Sequence, residues 1–335
     1  MPNQPTGACY LHQIPPTPLV PVSSGPGLAP IWCKLEFLNP SGSTKDRIAR
    51  HILEKARRRG ALSEGGTVVE ASSGSTSIAL ALACAQLRLR FVAFIPESAT
   101  SERSLMIQAY GGEVRRVEGG MGEVLRAAES AAEEFGWFHT RQFSNPDNVE
   151  AHRLGTGPEI LSQIPSACVD YVVSGVGTGG TLQGLFEAFD SAGCAVTPVA
   201  AVPRENEVFG GNIECCSFRF SSDVPGVVDG VSQLFHDWST GGTAAGLRRI
   251  EVGDCQCLEH TRQLWSQGFP VGPSSGLNLG AALEIARSAP ENARIVTVFP
   301  DRMERYFSHK VFEQIRGCDG TLGSPGESGP ERPHA

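Results

Sequence analysis

The sequence predicts an α/β protein in which helices cover a sheet made mostly of parallel strands. Short apolar runs alternate with longer helical patterns along the 335 residues, and this order is typical of a parallel sheet wrapped by helices. The 39 glycines cluster where predicted strands pass into predicted helices rather than in a low-complexity tract. The length is sufficient for two domains, or for one large α/β domain with a movable lobe.

The predicted strands and helices alternate in chain order. The short apolar runs predict strands at residues 67–70, 91–95, 113–117, 171–174, 197–202 and 294–299. The longer patterns predict helices at residues 47–59, 77–86, 101–110, 121–135, 156–163, 182–191 and 277–288. Gly60 follows the first of these helices, as glycine often does at a helix C-terminus. The tail at 317–335 is rich in Gly, Ser and Pro and is predicted to be disordered.

Composition narrows the classes of function. A net charge of -8 argues against nucleic acid as a partner, because phosphate binding needs a basic surface. Residues 1–15 lack the basic start and apolar core of a signal peptide. The longest apolar run, about 78–85, is far shorter than the ~20 residues of a membrane helix. We therefore expect a cytoplasmic protein with no membrane partner.

The ten cysteines form no CxxC pair, and their closest spacings are Cys215-Cys216 and Cys255-x-Cys257. Neither spacing suits a zinc site without further ligands, so we expect no metal. Reduced, buried thiols are the favoured interpretation. A redox role for the adjacent Cys215 and Cys216 is the alternative.

Lys45 is the first candidate catalytic residue, at the end of the segment PSGSTK (residues 40–45). A lysine that is desolvated or set beside other cations can lose its proton. A neutral amine can then form a Schiff base with an aldehyde. The alternative is a polar loop that caps a helix and leaves Lys45 solvated, and this segment alone would favour it.

Two further turns have the composition of anion sites. The turn SSGSTS (72–77) lies between a predicted strand and a predicted helix, where α/β sheets bind ligands. Its five hydroxyls and free N–H groups favour a carboxylate or phosphate, whereas an N-cap needs only one hydroxyl. The turn GVGTGGT (175–181) lets the backbone close on an anion. It is not a Walker A loop, because no Lys follows, and it is not a clean dinucleotide GxGxxG fingerprint. No ribose-binding acid follows at a convincing position, which disfavours an NAD enzyme.

A fourth turn, GPSSG (272–276), also precedes a predicted helix. A serine hydroxyl in this turn could bond to a heterocycle nitrogen and leave it neutral. Alone, the turn is better explained as another capped helix. The occurrence of four such turns in one chain favours the interpretation that they bind a ligand.

Five ordered motifs give the chain its resemblance to a known family. They are PSGSTKDR (40–47), QFSNP (142–146), TGPEI (156–160), GTGGT (177–181) and PDRxERY (300–306). Over about residues 12–308 the chain resembles the fold-type II pyridoxal-phosphate (PLP) enzymes of the cysteine synthase / cystathionine β-synthase family.

The resemblance implies a fold and an assembly. The fold would be the tryptophan synthase β-like one, with two three-layer α/β/α domains and parallel-rich twisted sheets. Residues 1–45 and 150–308 would form the larger, PLP-binding domain. Residues 46–149 would form the smaller domain, with a movable lobe at about 96–136. A homodimer is also implied.

The resemblance also implies roles for individual residues. Lys45 would hold the cofactor as a Schiff base and act as the base at Cα. The other cofactor-binding residues would be Ser75, Gly177, Thr178, Gly179, Gly180, Thr181 and Ser274. The substrate-binding residues would be Ser72, Ser73, Thr76 and Gln142. Ser275 is the less favoured alternative to Ser274. Ser75 replaces the asparagine that the family places beside the cofactor's 3-hydroxyl.

The implied reaction is β-replacement on an activated serine through an aminoacrylate, with sulfide or a thiol as nucleophile. O-acetylserine, O-phosphoserine and serine are the candidate substrates, and cysteine or a related amino acid is the product. The alternatives are a lyase that releases pyruvate and, less favoured, an inactive paralogue that acts as a binding protein. The stretch 229–236 departs from the family and leaves specificity open. His152 and His236 are interpreted as structural residues.

Overall fold

The computed structural model describes residues 16–72, 74–204, 224–227, 231–244, 246–313 and 315. The predictions for Ser73, for Cys215 and Cys216, for positions 229 and 230 and for the tail at 317–335 lie outside these residues. The described part of the chain has the predicted α/β architecture, with two sheets that are covered by helices.

Ten strands are found in the described residues, four more than the sequence predicts. They are β1 (Leu19–Val22), β2 (Ile31–Lys34), β3 (Thr67–Ala71), β4 (Arg90–Pro96), β5 (Glu113–Val117), β6 (Phe138–His139), β7 (Tyr171–Gly175), β8 (Thr197–Arg204), β9 (Arg248–Gly253) and β10 (Ile295–Val298). One sheet has the order β1-β2-β10-β7-β8-β9, and the other has the order β5-β4-β3-β6. Only β1 and β2 pair antiparallel among these strands, so both sheets are parallel-rich.

Ten α-helices connect and cover these strands in the described part of the chain. They are α1 (Lys45–Arg58), α2 (Ser75–Leu87), α3 (Ser101–Ala109), α4 (Met121–Phe135), α5 (Asp147–Ala151), α6 (Gly157–Gln163), α7 (Gly180–Ser191), α8 (Gln233–Thr240), α9 (Asp254–Ser266) and α10 (Pro273–Ser288). A π-helical turn, His152–Thr156, joins α5 to α6. None of the helices in the described ranges is long and apolar enough to cross a bilayer.

Alternate residues of each sheet face opposite helical layers. In the six-stranded sheet, Val173 packs in a core with α10, while its neighbour Val172 packs in a core with α7. In the four-stranded sheet, Val68 packs with α1 and α2, and Val69 packs with α4. Successive strand residues point to opposite faces, so each sheet is the middle of three layers. The residue ranges of the two domains stay a prediction.

The structure adds several elements to those that the sequence predicts. β1, β2, β6 and β9 and the helices α5, α8 and α9 were not predicted. β6 has two residues, and the sequence of β9, RRIEVG, carries three charges, so neither forms an apolar run. Four helices also begin earlier than predicted, at Lys45, Ser75, Gly180 and Pro273. The first N–H groups of a helix need no intrahelical acceptor, so Ser, Gly and Pro are tolerated there.

The cysteines in the described residues are free thiols. Four of them, Cys33, Cys84, Cys194 and Cys257, are buried as predicted. Cys168 is partly buried and Cys255 is exposed, which departs from the expectation of buried thiols.

Candidate active site

The four predicted turns meet at one cleft. Nine of the predicted site residues line it: Lys45, Ser75, Thr76, Gln142, Gly177, Thr178, Gly179, Thr181 and Ser274. Ser72 and Gly180 are not among the lining residues. The carboxyl ends of β3, β7 and β10 lead to this cleft, as expected for a ligand site in a parallel sheet.

Lys45 is the first residue of α1 rather than a loop residue before it. The preceding segment is held by backbone pairing with residues 300–302, where Thr44 N donates to Pro300 O (2.8 Å) and Arg302 N donates to Gly42 O (3.1 Å). Burial lowers the pKa of Lys45, although the charges of Asp301 and Glu36 raise it in part. Its Nζ bonds to no residue in the described ranges. A partly buried lysine with a lowered pKa is suited to act as a nucleophile or base.

The glycine turn before α7 is shaped so that backbone can approach closely. A Cβ on Gly177 would lie 2.4 Å from Gly226 O, and one on Gly180 would lie 2.1 Å from Asn148 Oδ1. Gly179 has φ +79°, in the left-handed region that glycine favours. The 12-residue helix α7 begins at Gly180, and Gly179 and Thr181 on either side of this residue line the cleft. This turn therefore fits a phosphate group.

Three polar side chains that the sequence analysis missed brace the glycine turn. Asn148 Nδ2 donates to Thr178 Oγ1 (2.9 Å), and Ser232 Oγ donates to Thr178 O (2.5 Å). Asn278 Oδ1 accepts from Gly175 N (2.6 Å). Asn148 follows the motif QFSNP by two positions, which is the one sequence signal that could have located it.

His152 is a structural residue in this geometry. Its ring lies between Thr181 Oγ1 (3.2 Å) and Thr156 Oγ1 (2.9 Å). Burial lowers the pKa of His152 to about 3, so the ring is neutral at physiological pH. His236 is exposed on α8.

The serine turn before α2 is tied to Gln142. Thr76 Oγ1 donates to Gln142 Oε1 (2.6 Å), and Gln142 Nε2 donates to Ala71 O (2.6 Å). Ser72 is buried, and its Oγ accepts from Gly74 N (2.8 Å) and Ser77 N (3.3 Å). Ser72 thus shapes the turn from within, while Thr76 and Gln142 face the cleft.

Asp301 and the serines of the turn before α10 complete the lining of the cleft. Ser75 Oγ donates to Asp301 Oδ2 (3.1 Å), a contact that the sequence did not reveal. Ser274 and Ser275 lie in the first turn of α10, after Pro273. Ser274 borders the cleft. Ser275 is fully buried, and its Oγ has no partner among the described residues.

The donor set fits a small molecule that carries both a phosphate and an aldehyde. The glycine turn offers backbone N–H groups at a helix N-terminus, and Lys45 offers an unpartnered amine in the same cleft. The sequence profile of the family described as "Pyridoxal-phosphate dependent enzyme" matches residues 10–301. The chain belongs to this family. Pyridoxal phosphate is its cofactor, and the predicted fold-type II architecture is confirmed.

Several enzymes of this family are similar along most of their length. A cysteine synthase of Staphylococcus aureus is 35% identical over 287 residues, which cover 85% of this chain and 89% of the relative. O-ureido-L-serine synthase of Streptomyces lavendulae is 33% identical over 308 residues, which cover 91% of this chain and 92% of the relative. A crystal structure of an O-ureido-L-serine synthase superposes with a TM-score of 0.78 at 32% identity and covers 94% of this chain and 96% of that one.

A hydrogen sulfide-producing enzyme of Fusobacterium nucleatum has the same fold. It superposes with a TM-score of 0.75 at 28% identity, over 90% of this chain and 99% of that one. The similar proteins therefore include synthases and an enzyme that releases sulfide.

Proposed function

We propose that the protein catalyses PLP-dependent β-replacement on an activated serine, with sulfide or a thiol as the incoming nucleophile. The substrate would be O-acetylserine, O-phosphoserine or serine, and the product cysteine or a related amino acid. The observation that carries this proposal is the position of Lys45 in one cleft with both the glycine turn and the Thr76–Gln142 pair. The similar cysteine synthase and O-ureido-L-serine synthase support it.

Bound pyridoxal phosphate supplies an aldehyde that joins to amines and a ring that takes up electrons from Cα. In the proposed reaction, Lys45 Nζ removes the proton from Cα of the substrate. The N–H groups of the turn at 177–181 would hold the cofactor phosphate, with Thr178 and Thr181 beside them. Ser274 would face the ring nitrogen. These assignments stay proposals.

The substrate carboxylate is assigned to the serine turn and Gln142. Thr76 and Gln142 hold each other by a hydrogen bond of 2.6 Å, so their orientation is fixed before a substrate enters. Such preorganisation reduces the entropy lost on binding. The N–H groups at the start of α2 add donors of the kind that carboxylates prefer.

Incubation of the purified protein with PLP tests the proposal. O-acetylserine plus sulfide is expected to yield cysteine, measured by amino-acid analysis, with O-phosphoserine and serine as parallel substrates. Lys45→Ala is expected to abolish the product and the visible absorbance of the bound cofactor. Lys310→Ala removes a lysine outside the cleft and serves as the matched control, with colour and product retained.

Two results would overturn the proposal. A wild-type protein that stays colourless with PLP would favour the inactive paralogue. Pyruvate from cysteine alone, with no cysteine from O-acetylserine and sulfide, would favour a β-eliminating lyase. The similarity to a hydrogen sulfide-producing enzyme is the observation that supports this second candidate.

The predicted homodimer and cytoplasmic location stay predictions. Light scattering of the purified protein measures the mass of the assembly, against 35.6 kDa for one chain.

A further inference from the structure

We propose that the negative charge of Asp301 stabilises the ammonium form of Lys45. Lys45 takes this form when it holds the proton removed from the substrate. The inference rests on the proposed role of Lys45 as base. When the Cα–H bond breaks, the proton joins Nζ and the electron pair stays on the substrate side. Nζ then changes from neutral to positive in the cleft, where desolvation makes an unpaired charge unfavourable.

Asp301 is fixed by backbone contacts beside the segment that leads into Lys45. Ser43 and Asp301 form an antiparallel bridge, two residues before Lys45. Asp301 O accepts from Gly272 N (2.9 Å), at the start of α10. The carboxylate is therefore held between the Lys45 segment and the Ser274 turn, and its side chain is only 5% exposed.

Asp301 accepts its hydrogen bonds from hydroxyl groups. Oδ2 accepts from Tyr306 OH (2.7 Å) and from Ser75 Oγ (3.1 Å). Both donors are neutral hydroxyls, and burial together with the Asp301 charge raises the pKa of Tyr306, which keeps the phenol protonated. Oδ1 is buried with no partner among the described residues. No cation within the described ranges forms an ion pair with Asp301 by the distances found.

The other charged groups near Lys45 do not compete for this role. Glu36, from the turn after β2, already accepts from Arg47 Nε and from Arg47 Nη2 (2.6 and 2.7 Å). Asp46 accepts from Ser41 N (3.0 Å) and Ser41 Oγ (2.5 Å).

The remaining groups around the cleft are neutral or positive. His152, from the π-helical turn, is neutral, because burial lowers its pKa to about 3. Arg103 of α3 lines the cleft as a cation, and its guanidinium carbon lies 4.9 Å from the centre of the Tyr306 ring. Asp301 is therefore the carboxylate that lines the cleft in the described part of the chain. Its charge raises the pKa of Lys45 against the effect of burial.

The test measures the protonation of Lys45 directly. Full-length protein freed of cofactor is treated with trace acetic anhydride across a pH series, and acetylation is quantified by peptide mass spectrometry. Only neutral amines react, so the midpoint reports the pKa of each lysine. Asp301→Asn is expected to lower the Lys45 midpoint by about one unit, while the Lys310 midpoint stays unchanged.

Two matched variants separate charge from packing. Ser75→Ala and Tyr306→Phe each remove one hydrogen bond to Asp301 Oδ2 and keep its charge, so the Lys45 midpoint is expected to remain near the wild-type value. An unchanged midpoint in Asp301→Asn would overturn the proposal. An equal shift in all three variants would assign Asp301 a packing role instead.

If Asp301→Asn does not fold, a variant with a smaller side chain at position 301 takes its place. Asp301→Ser removes the same charge, and its fold is verified by thermal unfolding before labelling. The pH dependence of PLP uptake, followed by absorbance, gives a second measure of the Lys45 midpoint. Because the labelling uses neither cofactor nor substrate, its result is independent of whether the wild-type protein makes cysteine.

Discussion

At the scale of single residues, the glycine turn depends on the lack of a side chain at Gly180. Asn148 lies where a methyl group on Gly180 would be, and its Nδ2 donates to Gln142 O (2.8 Å) as well as to Thr178 Oγ1 (2.9 Å). One asparagine thus joins the glycine turn to the backbone of Gln142. Any side chain at position 180 displaces it.

Gly180→Ala is expected to weaken PLP binding by about thirtyfold. The new methyl group would push Asn148 from two hydrogen bonds, each worth about 1 kcal/mol, and 1.4 kcal/mol corresponds to a factor of ten. Absorbance titration of cofactor-free protein measures the affinity. Gly122→Ala is the control, because its Cβ would approach nothing nearer than Arg126 Nη1 at 3.7 Å. Equal affinities of Gly180→Ala and wild type would contradict the prediction.

At the scale of elements, α3 is attached to the segment that follows Asp301. Thr100 Oγ1 donates to Arg305 O (3.0 Å), and Ser308 Oγ donates to Glu102 Oε2 (2.8 Å). Arg103 lies over the Tyr306 ring. These contacts join the predicted movable lobe to residues 305–308, which follow Asp301. They would therefore oppose opening of the lobe.

Thr100→Val is expected to loosen α3. The valine keeps the shape of the side chain and loses the hydroxyl that donates to Arg305 O, a bond worth about 1 kcal/mol. Amide hydrogen exchange across α3 is therefore expected to accelerate several-fold. Thr100→Ser retains the donor and is expected to exchange like the wild type. If both variants exchange at the wild-type rate, the contact does not restrain α3.

At the scale of the whole molecule, a buried ion network joins α1 to the six-stranded sheet. Arg47 of α1 pairs with Glu36, which follows β2, and with Glu159 of α6 (2.6 and 2.7 Å). Lys34 of β2 also pairs with Glu159 (2.9 Å). Burial raises the pKa of Glu36, but the charge and hydrogen bonds of Arg47 outweigh it and lower the pKa to about 2. The network holds the helix that begins with Lys45 against the large sheet.

The unfolding free energy is expected to depend on pH through Glu36. Its folded pKa of about 2 lies below the ordinary 4.5, so its stabilisation is present above pH 4.5 and is lost as the pH falls toward 2. The difference corresponds to about 3 kcal/mol. Glu36→Gln is expected to lower the unfolding free energy by about this amount at neutral pH. Below pH 4.5, the unfolding free energy of this variant is expected to fall less steeply than that of the wild type. Urea unfolding at several pH values measures both effects.

The exposed pair Glu113–Arg115 supplies the control for this network. Glu113→Gln is expected to change the unfolding free energy by less than about 1 kcal/mol, because exposed ion pairs contribute little. Wild type and Glu36→Gln are compared at equal pH, so Asp46, whose pKa burial raises to about 6, affects both alike. Parallel pH profiles of the two proteins would contradict the role of Glu36.

The sequence alone determined the fold class, the family and the cofactor. These features are encoded locally, in the period of apolar residues and in turns at the carboxyl ends of strands, so they are visible without a partner. The same locality explains the misses at β6 and β9, which form because neighbouring strands supply their hydrogen bonds. Local propensity does not predict such strands.

Only the tertiary structure decided which groups surround Lys45. Ser75 and Asp301 are 226 residues apart and meet at 3.1 Å, while Gly175 and Asn278 are 103 residues apart and meet at 2.6 Å. No local pattern encodes such pairs, because a hydrogen bond depends on the distance between two atoms and not on their separation along the chain. The cleft that Asp301 and Lys45 both line, and the polar braces of the glycine turn, exist only once both sheets have formed.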